Sequence, residues 1–201
     1  MSRRIQPIEP ERVRTLQGAR LHLRPPRPDD ATAVFAYASD PEVTRYLAWP
    51  RHTSVGDSER FLQRAIGGWQ DGASLVWLIE DEEGVAGSIG AELSGTNAGI
   101  GYVLSRRRWG RGYATEALGL VSAALLCHTP VRRVWAQCVG ENSASQRVLD
   151  KCGFHYQRTQ PDYFSCPNLG GARRDVLLYA TTSLSRNMKN AAPTRHSPAH
   201  R

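Results

Sequence analysis

With 201 residues, of which 40% are hydrophobic and 22% charged, the chain suits one globular domain and is too short for two well-cored ones. No apolar run approaches the roughly 20 residues needed to cross a bilayer, and Arg3 and Arg4 are followed by no apolar stretch of the secretory kind, so a soluble cytoplasmic protein with no membrane partner is expected. A net charge of +7 raises the question of nucleic acid, but Arg186, Lys189, Arg195 and Arg201 lie in residues 183–201, which hold no acidic residue. Without them the balance is about +3, so a basic, solubilising, disordered tail accounts for over half the excess and a nucleic-acid partner is disfavoured. Cys127, Cys138, Cys152 and Cys166 form no CxxC pair and have no histidine at finger-like spacing, so no metal site is expected and the thiols read as reduced packing residues.

Taken in order, residues 21–24 alternate apolar and polar as a short strand ended by Pro25-Pro26. Asp29 or Asp30 can cap a helix through Ala33, Val34, Tyr37 and Ala38, closed by Asp40-Pro41. An aromatic-bearing connector follows over residues 42–50, and Thr53 or Ser54 then starts a helix in which Phe61, Leu62, Ala65, Ile66 and Trp69 recur at helical spacing. Residues 74–80, 85–93 and 98–105 are three strands joined by short turns, an antiparallel meander. A helix from about Gly112 to Leu126, a strand over 133–139, a helix over 142–152 and strands over 154–158 and 174–181 complete the pattern. The order β-α-α-β-β-β-α-β-α-β-β predicts an α/β chain with a mixed sheet and helices packed on it.

The segment Trp109-Gly110-Arg111-Gly112-Tyr113-Ala114-Thr115 joins a strand to a helix through two glycines. A helix start exposes unpaired N–H groups at the positive end of its dipole, and Gly110 and Gly112 would let a pyrophosphate approach the backbone. Arg111 adds charge and Thr115 a hydroxyl donor. The segment lacks the Gly-Lys-Ser/Thr ending of a P-loop and the third glycine of the dinucleotide fingerprint. Downstream, Asn142-Ser143-Ala144-Ser145-Gln146-Arg147-Val148-Leu149-Asp150-Lys151-Cys152-Gly153-Phe154 is a capped helix stopped by glycine and followed by a strand.

Together, in this order and at this spacing, the two segments resemble the GNAT acyltransferase superfamily, in its RimJ/RimL-like ribosomal-protein N-terminal acetyltransferase branch. The resemblance runs from about Arg20 to Thr182 and includes Leu23-Arg24-Pro25, the connector Asp40-Pro41-Glu42-Val43-Thr44-Arg45-Tyr46 and Ile100-Gly101-Tyr102-Val103-Leu104. It divides the chain into an N-terminal extension (1–19), the acyltransferase domain (20–182) and the tail (183–201). It implies a mixed, mostly antiparallel sheet of about seven strands flanked by about four helices, with splayed central strands. The family's Gln/Arg-x-x-Gly-x-Gly/Ala pattern fits in two registers, starting at Arg107 or at Trp109. The second suits the helix start better and puts Trp109 where the superfamily has Gln or Arg.

By resemblance, the co-substrate is acetyl-CoA and the acceptor an amine, either a protein N-terminus or a small molecule. Residues 102–104 (Tyr102, Val103 and Leu104) and residues 135–137 splay to admit pantetheine, a backbone N–H around Tyr102 meets the thioester carbonyl, and residues 109–115 hold the pyrophosphate. Asn142 contacts pantetheine or only caps its helix, and Arg147 reaches the 3′-phosphate or is only solvated. Many superfamily members protonate the sulfur with a tyrosine where Leu149 stands; in RimL-like enzymes the proposed acid is a serine at the position of Ser145. Glu92 is the carboxylate offered as base through water, with His52 and His155 as other candidates, and Tyr46 and Trp49 line the acceptor pocket. Two rivals stand beside the enzyme: a catalytically inert CoA-binding sensor, and a ribosome- or nucleic-acid-associated basic protein. A homodimer is compatible with the sequence.

Overall fold

The computed structural model describes residues 11–183. Eight strands form one sheet in the order β1-β2-β3-β4-β5-β6-β8-β7. They are β1 (Leu16–Gln17), β2 (His22–Arg24), β3 (Ser74–Asp81), β4 (Gly84–Ser94), β5 (Asn97–Leu104), β6 (Arg133–Val139), β7 (His155–Ser165) and β8 (Arg173–Thr181). The neighbours pair antiparallel except β5 with β6. The helices are α1 (Glu11–Arg14), α2 (Ala31–Ala38), α3 (Pro41–Thr44), α4 (Val55–Asp71), α5 (Tyr113–His128) and α6 (Ser143–Lys151).

The helices form a layer on each face of the sheet. On one side α2 and α4 pack Val34, Tyr37, Ala38 and Leu62 against Leu78. Ser54 caps α4 in a box with Asp57, whose carboxyl is held down at about 2 by the backbone N–H groups of Thr53 and Ser54, and Gly72, at φ 70°, ends the helix. α4 runs on through Gly67 and Gly68, because its buried face continues to Trp69, whose ring meets Trp77 edge-on at 5.1 Å. On the other side lies α5, buried continuously from Ala117 to Leu125. A helix apolar all round needs cover on all sides, and α1 and β1 supply it over the outer surface.

Residues 11–17, expected outside the domain, belong to the fold: Val13 and Leu16 are fully buried, and Trp77 donates from Nε1 to the Val13 carbonyl at 2.9 Å. The strand expected to stop near residue 158 continues to Ser165 through Pro161. Proline is tolerated there because β7 is an edge strand, and its register shifts between Gln160 and Phe164, where Asp162 takes φ 47°. The connector also holds a short helix, α3, capped by the Asp40 side chain, which accepts from the Glu42 N–H. Of the tail, residues 184–201 lie outside the described residues.

Candidate active site

The feature that makes a site is a fork in the sheet. β5 and β6 pair only at Asn97–Arg133, Ala98–Val134 and Gly99–Trp135. Beyond that point β5 stays paired with β4 as far as Leu104, and β6 stays paired with β8 as far as Val139. Each strand keeps its outer partner and loses only the other. Backbone polar groups along the two facing edges are thus left without a sheet partner. At the crotch, the Trp135 ring covers Gly99 so closely that a Cβ there would sit 2.5 Å from it. The splay takes in residues 102–104 and 136–137 as expected, whereas Trp135, also expected in it, is still paired with Gly99.

The fork opens into a cleft of about 440 Å³ that passes from the α2/α4 side of the sheet to α6. Ser88, Gly90, Glu92, Gly101 and Val103 line it on the first side, as the β4–β5 register requires. Tyr102 points to the opposite face, where its hydroxyl lies 2.8 Å from Ser145 Oγ on α6. Burial pushes the Tyr102 phenol above its usual pKa, so it stays protonated at neutral pH. The Asn142 side chain accepts from the Ser145 N–H at 3.1 Å and so fixes the start of α6 beside the gap. Ser145 and Glu92 therefore line one cleft from opposite faces of the sheet.

The loop from β5 to α5 provides the anion cradle. Gly110 and Gly112 have φ of 75° and 77°, left-handed values that glycine adopts without strain. The first amide of α5 to find a helical acceptor is that of Glu116, which donates to the Gly112 carbonyl at 3.1 Å, so those of Tyr113, Ala114 and Thr115 are the free first-turn donors. The loop is braced from behind. Arg108 is buried against Asp81, and Arg20 joins the Arg111 carbonyl at 2.6 Å to the Glu116 carboxylate at 2.8 Å. A helix start of this kind fits a pyrophosphate, and the fork fits an amide-bearing chain.

Other predicted residues fall differently. Leu104 and Tyr113 have buried side chains packed in the core, so both offer only backbone, and Trp109 turns its indole N–H back to the Leu104 carbonyl at 2.9 Å. Arg111 is exposed and 3.4 Å from Glu83, and Arg147 is exposed, with Nη1 donating to Ser143 Oγ. Leu149 is core. Tyr46 and Trp49 do line the cleft, as does His52, whereas His155 is exposed at the start of the edge strand. His52 Nδ1 lies 2.8 Å from Ser58 Oγ, and burial lowers its pKa, leaving it neutral. Sequence reasoning missed Tyr37, Phe61 and Phe164, which also line the cleft. It also missed the Tyr102 hydroxyl, having used only that residue's backbone. Aromatic residues in a helix or strand carry no signal that separates cleft from core.

A mixed sheet forked at a parallel pair, with a glycine-bearing helix start at its end, is the architecture of an acyltransferase that binds a pantetheine-carrying co-substrate. Comparison with known proteins agrees. Residues 20–155 match the model of the acetyltransferase (GNAT) domain, and the chain belongs to that family. It is 30% identical over 153 residues to an uncharacterized N-acetyltransferase, YoaA, of Bacillus subtilis, covering 74% of this chain and 86% of that one. Among solved structures it resembles RimL, a ribosomal L7/L12 alpha-N-protein acetyltransferase in complex with coenzyme A, with TM-score 0.76, 22% identity and coverage of 84% and 97% of the two chains. It also resembles Mycobacterium smegmatis RimJ in complex with CoA-disulfide, with TM-score 0.74, 24% identity and coverage of 89% and 87%. The protein is an acyltransferase of the GNAT class.

Proposed function

We propose that this chain transfers the acetyl group of acetyl-CoA to a primary amine, a protein N-terminus or a small-molecule amine, by direct attack with both substrates bound. The observation that carries the reading is the fork between β5 and β6, which opens at one end onto a helix-start anion cradle and at the other onto an aromatic-lined cleft. Acetyl-CoA supplies the thioester that the amine attacks, and the amide forms as the C–S bond breaks and the CoA thiol leaves. The amides of residues 110–115 hold the pyrophosphate, and the facing edges of β5 and β6 offer N–H and C=O groups to the pantetheine amides. A backbone N–H around Tyr102 donates to the thioester oxygen as it gains charge.

Ser145 holds a proton at Oγ for the departing sulfur. The neutral Tyr102 phenol can donate to that same oxygen, leaving the Ser145 proton aimed at the sulfur. Glu92 takes the proton lost by the amine, through water. Much of the rate enhancement comes from holding amine and carbonyl in line. Asn142 orients α6, Arg147 reaches toward the 3′-phosphate from its exposed face, and Tyr46 and Trp49 wall the acceptor. No helix among the described residues is long and apolar enough to cross a membrane.

The test is amine-dependent release of CoA thiol, measured over a panel of amines and N-terminal peptides. Release above the hydrolysis background with at least one amine supports the enzyme. Binding of acetyl-CoA with no release for any amine would return the chain to the inert sensor.

A further inference from the structure

The turn between β7 and β8 carries a side chain that reaches across to the acceptor connector. Asn168 donates from Nδ2 to the carbonyls of Thr44 at 2.8 Å and Trp49 at 2.9 Å, and its Oδ1 accepts from the Arg51 N–H at 2.8 Å. All the polar groups of one amide side chain are thus used on a single segment more than a hundred residues away in sequence. The turn that presents it is rigid: Leu169 and Gly171 both donate to the Cys166 carbonyl at 3.0 Å, and Cys166 is fully buried. At the other side, the connector is fixed at its ends, with Thr44 N–H on Asp40 and His52 N–H on the Ala38 carbonyl. Between those ends Asn168 is what ties it down on the β7–β8 side.

That connector lines the cleft with Tyr46, Leu47, Ala48 and Trp49, and Phe164, just before the turn, lines it as well. The link through Asn168 therefore ties the β7–β8 turn to the connector segment that lines the cleft. The lining chemistry is one-sided. Aromatic and apolar side chains dominate, Glu92 is the single carboxylate, and no lysine or arginine among the described residues lines the cleft.

We propose that Asn168 is a specificity-determining positioning residue, latching residues 44–51 to the β7–β8 turn, and that the cleft takes a primary amine carried on an uncharged aromatic or apolar body. This rests on the reading of the chain as an amine acetyltransferase. An amine on such a body places its charge near Glu92 and its ring among Trp49, Phe61 and Phe164, whereas a phosphate would be desolvated there without a cationic partner.

The probes are 2-phenylethylamine and O-phosphoethanolamine as acceptors, with the full chain and the variants Asn168→Asp and Asn168→Ala. The wild type should favour 2-phenylethylamine in kcat/KM by at least about a hundred-fold. Each variant loses both bonds to the carbonyls. The KM for 2-phenylethylamine should therefore rise about ten-fold, with kcat within about two-fold and the acetyl-CoA Kd unchanged. The Arg51 amide should also exchange its hydrogen about ten-fold faster in Asn168→Ala. Preference for the phosphorylated amine would overturn the substrate class. An unchanged KM with unchanged Arg51 exchange would overturn the latch. If the wild type binds acetyl-CoA yet acetylates no amine, the parent reading and the substrate class fall together, and the Arg51 exchange rate still judges the latch by itself.

Discussion

Asp81→Asn probes how the phosphate loop is held. Arg108, 7% exposed, donates from Nε to Asp81 Oδ2 at 2.6 Å and from Nη2 to Oδ1 at 3.1 Å, and the Asp81 side chain is 1% exposed. Glu83, which is 55% exposed, adds a third contact to Arg108 at 3.3 Å. Removing one charge of a buried pair costs about 3–5 kcal/mol. The Asn amide still accepts a hydrogen bond and Glu83 compensates in part, so the low end, about 3 kcal/mol, is expected. In a chain of this length each kcal/mol moves Tm by about 2–4 °C, so a fall of about 6–12 °C should appear in a thermal melt. Arg108 immediately precedes the Trp109–Gly110 turn, so acetyl-CoA should also bind about ten-fold more weakly, as for a misplaced amide or two. Burial alone would raise the Asp81 pKa, but the hydrogen bond and charge of Arg108 outweigh it and hold the carboxyl below the ordinary range. The stabilisation is therefore present above the unfolded value of about 3.9 and lost as pH falls through the folded one, so wild type and variant should converge in acid. A Tm change under about 2 °C near neutral pH, or a gap that persists in acid, would refute the argument.

Three further outcomes are expected. Ser145→Ala should lower kcat about a hundred-fold with the acetyl-CoA Kd nearly unchanged, and adding Tyr102→Phe should cost little more, since the phenol acts through Ser145; additive losses would separate the two. Glu92→Gln should lower kcat/KM at neutral pH at least about ten-fold and regain most of it above the pKa of the acceptor amine, where no base is needed; a loss independent of pH would remove Glu92 from proton transfer. Burial pushes Cys138 up to about 11 and Cys152 up to about 12, Cys166 is also raised by burial, and Cys127 is exposed. A disulfide-exchange reagent should thus find one fast thiol in the native protein and all four after denaturation, whereas a fast reaction at Cys138 would mean the cleft is wetter than its lining suggests.

The elements legible in the sequence were those whose local signals agree with their surroundings. The meander of β3, β4 and β5, the strand β6 and the capped helix α6 fall within a residue or two of their expected bounds. Where the sequence reading stopped short, tertiary context decided. Leu16 and Gln17 make too short a strand to show periodicity, yet the all-round burial of α5 required a covering segment that residues 11–17 provide. The last part of β7, past the expected end near residue 158, runs through Pro161, which an edge strand tolerates. At the site, the glycine loop was visible because its backbone demands glycine at Gly110 and Gly112. The Tyr102–Ser145 pair and the Asn168 bonds were not, since nothing in the spacing brings residues 43 or more than a hundred positions apart into contact.

The most direct test of the account is a calorimetric titration with acetyl-CoA of the wild type beside Gly112→Trp. Gly112 sits at φ 77° in the cradle and a Cβ there would lie 3.5 Å from Arg20 Nη2, so a bulky side chain strains the turn and displaces the brace that sets the free amides of α5. Stoichiometric binding by the wild type that is lost in a variant still folded by circular dichroism is the predicted result. Failure of the folded wild type to bind, or equal binding by both proteins, would contradict the placement of acetyl-CoA in the fork.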